Sequence, residues 1–238
     1  MENFKRLWRF GAMKNTGEKI LDFYNHLALD TLQTPGVEVM NPFNKAEVQA
    51  ICEVFYNRFY NDSGKRAFMI AINPGRFGAG VTGLPFTDPT VLEDLLGISN
   101  SFQKRKELSA IFIYEMIDAL GGVESFYNNF FFTNVSPLGF LKDGKNLNYY
   151  DIADLQKELT PWMVEQMNHQ VEHWGRRDVA FTIGKGQNHK ILLQLNKEHK
   201  WFDQIIALPH PRWIMQYNLK RKDDILDQMI QTINEAIK

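Results

Sequence analysis

Four short apolar runs constrain this chain most: Ala67 to Ile72, Phe130 to Thr133, Val179 to Ile183 and Ile205 to Leu208. None alternates in polarity, and each is too short for a helix, so each reads as a strand, Ala67 to Ile72 and Phe130 to Thr133 as buried ones. Stretches with helical spacing of apolar residues separate them. Four short apolar strands separated by helices predict a parallel sheet with helices on both faces, a three-layer α/β/α architecture.

The helices are expected in the following places. Ile20, Phe23, Tyr24 and Leu27 recur at helical spacing and predict a helix from about Glu18 to Leu29. Asn44, with Glu47 three residues on, predicts the start of a second, carrying Val48, Ile51, Phe55 and Phe59 on one face. Asp88-Pro89 caps a helix through Leu96, and another spans Leu108 to Leu120 and stops at Gly121-Gly122. A polar loop is expected from Asn134 to Asn148. Thr160-Pro161 starts a helix with Met163, Met167 and Val171, Gln187 to Leu195 forms another, and Ile225, Met229, Ile233 and Ile237 mark a terminal helix.

The 238 residues, 44% hydrophobic and 23% charged, suit a single domain over 1–238 with an N-terminal helical part over about 1–62. Twenty-seven basic against twenty-eight acidic residues argue against a basic coat for non-specific nucleic-acid binding, though not against a local basic face. Cys52 is the one cysteine, so no intramolecular disulfide can form, and its apolar spacing suggests a buried thiol. The start, MENFKRLWRFGAMKN, lacks the apolar core of a secretory signal, and no run is long enough to span a bilayer. The expectation is a soluble, cytoplasmic monomer with no membrane partner.

In a parallel sheet, ligands bind beyond the carboxyl ends of the strands. Those ends carry Asn73-Pro74-Gly75, Asn134-Val135-Ser136-Pro137, Gly184-Lys185-Gly186 and Pro209-His210-Pro211-Arg212. After the first of them the chain reads INPGRFGAGVTGLPFTD, with glycines at 75, 78, 80 and 83 that would let bare backbone approach a ligand. The bland alternative is an irregular surface loop. No phosphate-binding GxxxxGK[ST] or GxGxxG pattern occurs, nor a GxSxG elbow, which removes support for ATP, dinucleotides and acyl transfer. His169 and His173 lie four apart on one helix without a further nearby ligand, so no metal is expected.

Two asparagines, one histidine, Phe86 and many backbone amides remain. An Asn amide carries a donor beside an acceptor and can read the imide edge of uracil, where cytosine would leave both unpaired. Phe86 could stack on the ring, and Gly75 would leave room at one ring edge. Each residue also has an ordinary explanation: Asn73 as a strand cap, Phe86 as core, Asn134 in a turn over Ser136, and His210 in a proline-bounded turn.

The four segments together resemble the single-strand-selective monofunctional uracil-DNA glycosylases. INPGRFGAGVTGLPFTD is similar to that family's MNPGPFG followed by TGxPF, and TNVSPLGFLKDGKNL to its NxCPLxFL…GxNL segment, with Ser136 in place of a cysteine. FTIGKG resembles its VGVGR strand end and LPHPRW its HPSPR motif, in family order from about 67 to 221. The resemblance implies the uracil-DNA glycosylase fold and cofactor-free excision of uracil, or of a modified uracil such as 5-hydroxymethyluracil, from single- or double-stranded DNA, leaving an abasic site. By motif, Asn73 would position the attacking water and His210 would bond the base carbonyl O2. Ile72 and Gly75 would line the base pocket with Phe77 at its edge, Phe86 would stack on the base, and Asn134 would read it. Gly184, Lys185, Pro211, Arg212 and Trp213 would meet DNA. The first hundred residues outside the motif point to a bacterial branch, working on the nucleoid during repair.

Two departures stand out. Arg76 replaces a proline, and the segment after His210 lacks one proline-bearing turn, so Arg212 and Trp213, with Ile214 beside them, would form a different wedge for the gap left by a flipped base. Two other functions remain open: a damaged-base or uracil-DNA binding module without turnover, since the amide of Asn73 is a weak base, and a glycosidase of free nucleosides.

Overall fold

The computed structural model describes residues 14–29 and 32–238. The expected lack of a leader, and the start of the N-terminal helical part, fall mainly on residues 1–13, outside the described ones. Helix α1 (Thr16–Asn25) begins two residues before its expected start and ends short of Leu29. Asn15 and Glu18 form a reciprocal capping box there, a signal present in the sequence. Strand β1 (Val37–Met40) was not expected. Helix α2 (Ala46–Phe59) is not capped by Asn44, which closes a 3-10 turn started by Pro42. Asn41 caps that turn instead, and Glu47 accepts hydrogen bonds from the Ser101 backbone and hydroxyl.

Strand β2 (Arg66–Ala71) is wholly buried. After it come the short helix α3 (Ala79–Thr82), α4 (Pro89–Asp94) on its Asp88 cap, and α5 (Leu108–Ala119). Gly121 and Gly122 both adopt positive φ and stop α5, but the chain turns at once into α6 (Gly122–Asn129), which leads into β3 (Phe130–Asn134). The expected polar loop is instead a hairpin of β4 (Gly139–Lys142) and β5 (Lys145–Leu147). Its turn residues Asp143 and Gly144 have φ of 50° and 66°, the backbone a two-residue Asp-Gly hairpin requires.

Helix α7 (Ala153–Trp174) starts well before Thr160, and Pro161 lies inside it. Packing outweighs the missing N–H: Leu155, Leu159 and Met163 form one continuous buried stripe across the proline, and the Thr160 hydroxyl donates to the Gln156 carbonyl. Strand β6 (Gly175–Ile183), α8 (Gln187–His199) and β7 (Gln204–Leu208) follow. An unexpected short helix, α9 (Pro211–Tyr217), and the terminal α10 (Lys222–Ala236) complete the chain.

The four expected strands form one parallel sheet in the order β3-β2-β6-β7, with helices on both faces. Register brings their carboxyl ends level, Ala71 opposite Asn134 and Ile183 opposite Leu208. A second, antiparallel sheet in the order β1-β4-β5 stands beside this edge. No described helix is long and apolar enough to cross a membrane.

Candidate active site

A cavity of about 550 Å3 opens at the carboxyl ends of β2 and β3. Ile72, Asn73, Gly75, Phe77, Phe86, Asn134, His210 and Arg212 all line it, so residues far apart in the chain share one hollow. Gly184, Lys185 and Trp213 line an adjoining cavity instead, and Pro211 is buried at the first turn of α9.

Asn73 is held on both sides of its amide. Its Oδ1 accepts the Tyr149 N–H at 3.1 Å and its Nδ2 donates to the Leu147 carbonyl at 3.2 Å. These partners fix which end is oxygen, and Oδ1 keeps a second lone pair. Behind it, the Tyr149 hydroxyl donates to Asn188 Oδ1 at 2.8 Å, and Asn188 Nδ2 donates to the Ala71 carbonyl. Burial pushes the Tyr149 hydroxyl well above its ordinary pKa, so it stays a donor. Asn73 is therefore a clamp on the hairpin as well as a cavity residue.

Asn134, at the end of β3, is 5% exposed. The turn after it is closed by backbone: Val135 and Ser136 donate to the Ala71 and Ile72 carbonyls. Its side-chain amide makes no hydrogen bond among the described residues. Its donor and acceptor are unspent and open to the cavity, where a ligand can pair with them.

Phe86 is half-buried, edge to face with Phe132 at 5.4 Å, and its φ of 55° is unusual for a bulky residue. Its neighbour Thr87 enforces this backbone: the Thr82 hydroxyl donates to the Thr87 carbonyl at 2.7 Å, and the Thr87 hydroxyl meets Tyr114 at 3.0 Å. Strain so over-determined marks a functional position more often than a filler.

His210 is the N-cap of α9. Its Nδ1 accepts the Arg212 N–H at 3.1 Å, which leaves the proton of the neutral ring on Nε2. Burial, and then the Arg212 charge, hold the imidazole below its ordinary pKa, so the neutral form prevails near pH 7. Gly184, at φ 116°, backs the ring, and its N–H is tied to the Leu208 carbonyl.

The glycines after Asn73 serve packing more than ligand approach. A Cβ at Gly80 would meet Met40 at 2.6 Å, and one at Gly83 would meet Val48 at 2.7 Å. Gly75 differs, since a Cβ there meets only Asn146 Nδ2 at 3.6 Å, an ordinary contact. The loop is glycine-rich chiefly because β1 and α2 crowd it.

Arg76 gains an explanation. Its N–H donates to Asn146 Oδ1 at 3.0 Å and its guanidinium to the Gly144 carbonyl, so it staples the glycine loop to the β4–β5 turn. Phe77 lies under two guanidiniums, those of Arg76 and Arg105. Glu107, which sequence reasoning missed, also lines the cavity, its carboxylate packed on Gly78. Burial and the Asp88 carboxylate hold its pKa up, against Arg105 and Arg212.

Of the expected wedge, Arg212 and Trp213 are exposed on the first turn of α9. Ile214 is fully buried, and Arg212 and Trp213 face different cavities. The large apolar side chains that project at the end of α9 and just after it are Tyr217, 76% exposed, and Leu219, 59% exposed.

His169 and His173 pack against each other on α7 with ring centroids 4.4 Å apart and planes tilted by 51°, and among the described residues no group of three His, Cys, Asp or Glu could hold a metal ion. Cys52 is buried, as expected, and burial pushes its thiol up to about 12.

A family model, that of the Uracil DNA glycosylase superfamily, matches residues 58–234. Among solved structures, the crystal structure of wild-type SMUG2 from Pedobacter heparinus matches at a TM-score of 0.90 and 39% identity. The match covers 94% of this chain and 98% of that one, so it takes in most of the N-terminal helical part.

Proposed function

The chain belongs to the uracil DNA glycosylase superfamily, hydrolases of base excision repair that act on DNA, and on that premise we propose that it is a monofunctional enzyme releasing uracil and 5-modified uracils. The observation that carries this reading is the unspent amide of Asn134, open to one cavity with Asn73, Phe86 and the Nε2–H of His210. In this reading Asn134 pairs with the imide edge of a flipped base, and Phe86 covers a ring face.

Hydrolysis breaks the bond between the sugar C1′ and the base N1, and the electron pair leaves with the base. Negative charge spreads onto O2, where the neutral His210 donates a hydrogen bond that strengthens as the charge grows. Asn73 Oδ1, clamped by Tyr149, accepts a hydrogen bond from the water that attacks C1′. An amide is not a base, so the water's proton goes to solvent. The strand then ends in an abasic site without cleavage of its backbone.

Lys185 and Arg212 are the cations we assign to phosphates, with Gly184 and Pro211 setting their loops and the uncapped start of α8 accepting a phosphate beside Lys185. Tyr217 and Leu219 are the wedge for duplex DNA in place of Arg212 and Trp213. The chain works in this reading as one domain and a monomer.

The test incubates the protein with oligonucleotides carrying uracil, 5-hydroxymethyluracil or thymine at one position, then treats them with alkali. Strand breaks at the first two and none at thymine are expected. Binding without strand breaks would leave a damaged-base binding module, and release of base from free deoxyuridine at a comparable rate would point to a nucleoside hydrolase.

A further inference from the structure

Ile72 and His210 are walls of two cavities. On their far side lies a second hollow of about 630 Å3, bounded by the ends of β6 and β7 and by α9 and α10. Its floor is apolar, with Ile183, Leu208, Ile225 and Met229 all buried. Trp213, 48% exposed, stands against it. Lys185 and Arg221 are its charged lining residues, no carboxylate accompanies them, and neither side chain is tied into an ion pair among the described residues. A nearby lysine, Lys222, is by contrast occupied with Glu115 at 2.7 Å.

An apolar floor, an exposed indole and two free cations fit a flat heterocycle that carries an anion. Bases of single-stranded nucleic acid bind in this way, by stacking on an aromatic ring while cations hold the backbone. We propose that this second cavity takes the nucleotide next to the excised one in unpaired DNA, its base against Trp213 and its phosphate between Lys185 and Arg221. The inference rests on the first cavity being the uracil pocket. Because His210 and Ile72 divide the two hollows, a strand whose uracil fills the first brings its neighbour to the mouth of the second. In a duplex that neighbour is paired and stacked, so the second cavity contributes only when the strand is single.

Binding measured by fluorescence anisotropy tests this without turnover, on single-stranded oligonucleotides with a tetrahydrofuran abasic analogue at the excised position. In further oligonucleotides the base on the 5′ or the 3′ side is also replaced by the analogue. Loss of the base on one side weakens binding to the wild-type protein by about tenfold. In Trp213→Ala that difference shrinks to about twofold or less, as expected when the stacking partner is gone. Equal binding with and without either neighbouring base overturns the proposal, and so does a base contribution that Trp213→Ala leaves intact. Uracil release by the wild-type protein, measured in parallel, keeps the two readings apart: its absence overturns the glycosylase assignment, while the binding comparison still decides the second cavity.

Discussion

At the scale of single residues, the chemistry turns on the protonation state of His210. Its Nδ1 is committed to the Arg212 N–H, so the useful proton sits on Nε2 without any ionisation. His210→Ala is expected to lower kcat by about 10²- to 10³-fold, the usual cost of one oxyanion donor, with binding of abasic DNA little changed. The pH profile has a defined sign. Burial and Arg212 place the folded-state pKa below the ordinary 6.5. The neutral ring, and the His210–Arg212 bond, are therefore fully present above about pH 6.5 and lost as pH falls through the lower folded value. Steady-state kcat should be level from about pH 8 to 6.5 and decline only below; a decline that begins above neutrality would contradict the assignment. Sequence made Asn73, Asn134, Phe86 and His210 visible because each follows a recognisable strand or turn. It could not show that Asn73 is held by Tyr149, a contact 76 residues away, nor that Glu107 reaches the same cavity.

At the scale of elements, two short pieces absent from the expected layout shape the site. The β4–β5 hairpin supplies the Leu147 carbonyl that holds Asn73 and the groups that hold Arg76, and the turn just after it supplies the Tyr149 N–H. Its Asp143-Gly144 turn was legible as a strong hairpin signal, obscured by the polarity of the flanking Lys142 and Lys145. Helix α9 has only seven residues, so no periodicity could announce it, though His210 followed by Pro211 is a sound helix start. Its end and the turn beyond it project Tyr217 and Leu219 into solvent. Replacing both by alanine is expected to reduce uracil release from duplex DNA about tenfold more than from single strands, since only a duplex needs the gap filled. Equal losses on the two substrates would remove the wedge role.

At the scale of the whole molecule, a net charge of −1 conceals a polar arrangement. Arg76, Arg105, Lys106, Lys145 and Arg212 surround the first cavity against the single carboxylate of Glu107, and Lys185 and Arg221 flank the second. The groove between α4, α5 and α6 carries Asp88, Asp94, Glu115 and Asp118. DNA binding should therefore weaken steeply with salt: each phosphate neutralised on a single strand adds about −0.7 to the slope of log affinity against log salt, so three to five phosphates give about −2 to −4. A slope near zero would count against a DNA-tracking face. The amino-acid sequence alone determined the four strands, of which β7 at the sheet edge is only partly buried, their parallel arrangement and the residues at their ends, because apolar runs, helical spacing and turn chemistry are written within a few neighbouring positions. Only the tertiary structure decided which of those ends converge, what clamps Asn73, where Trp213 faces and that a second cavity adjoins the first. Those outcomes depend on contacts between segments distant in the chain, and packing selects them through shape and burial that no local window of residues contains.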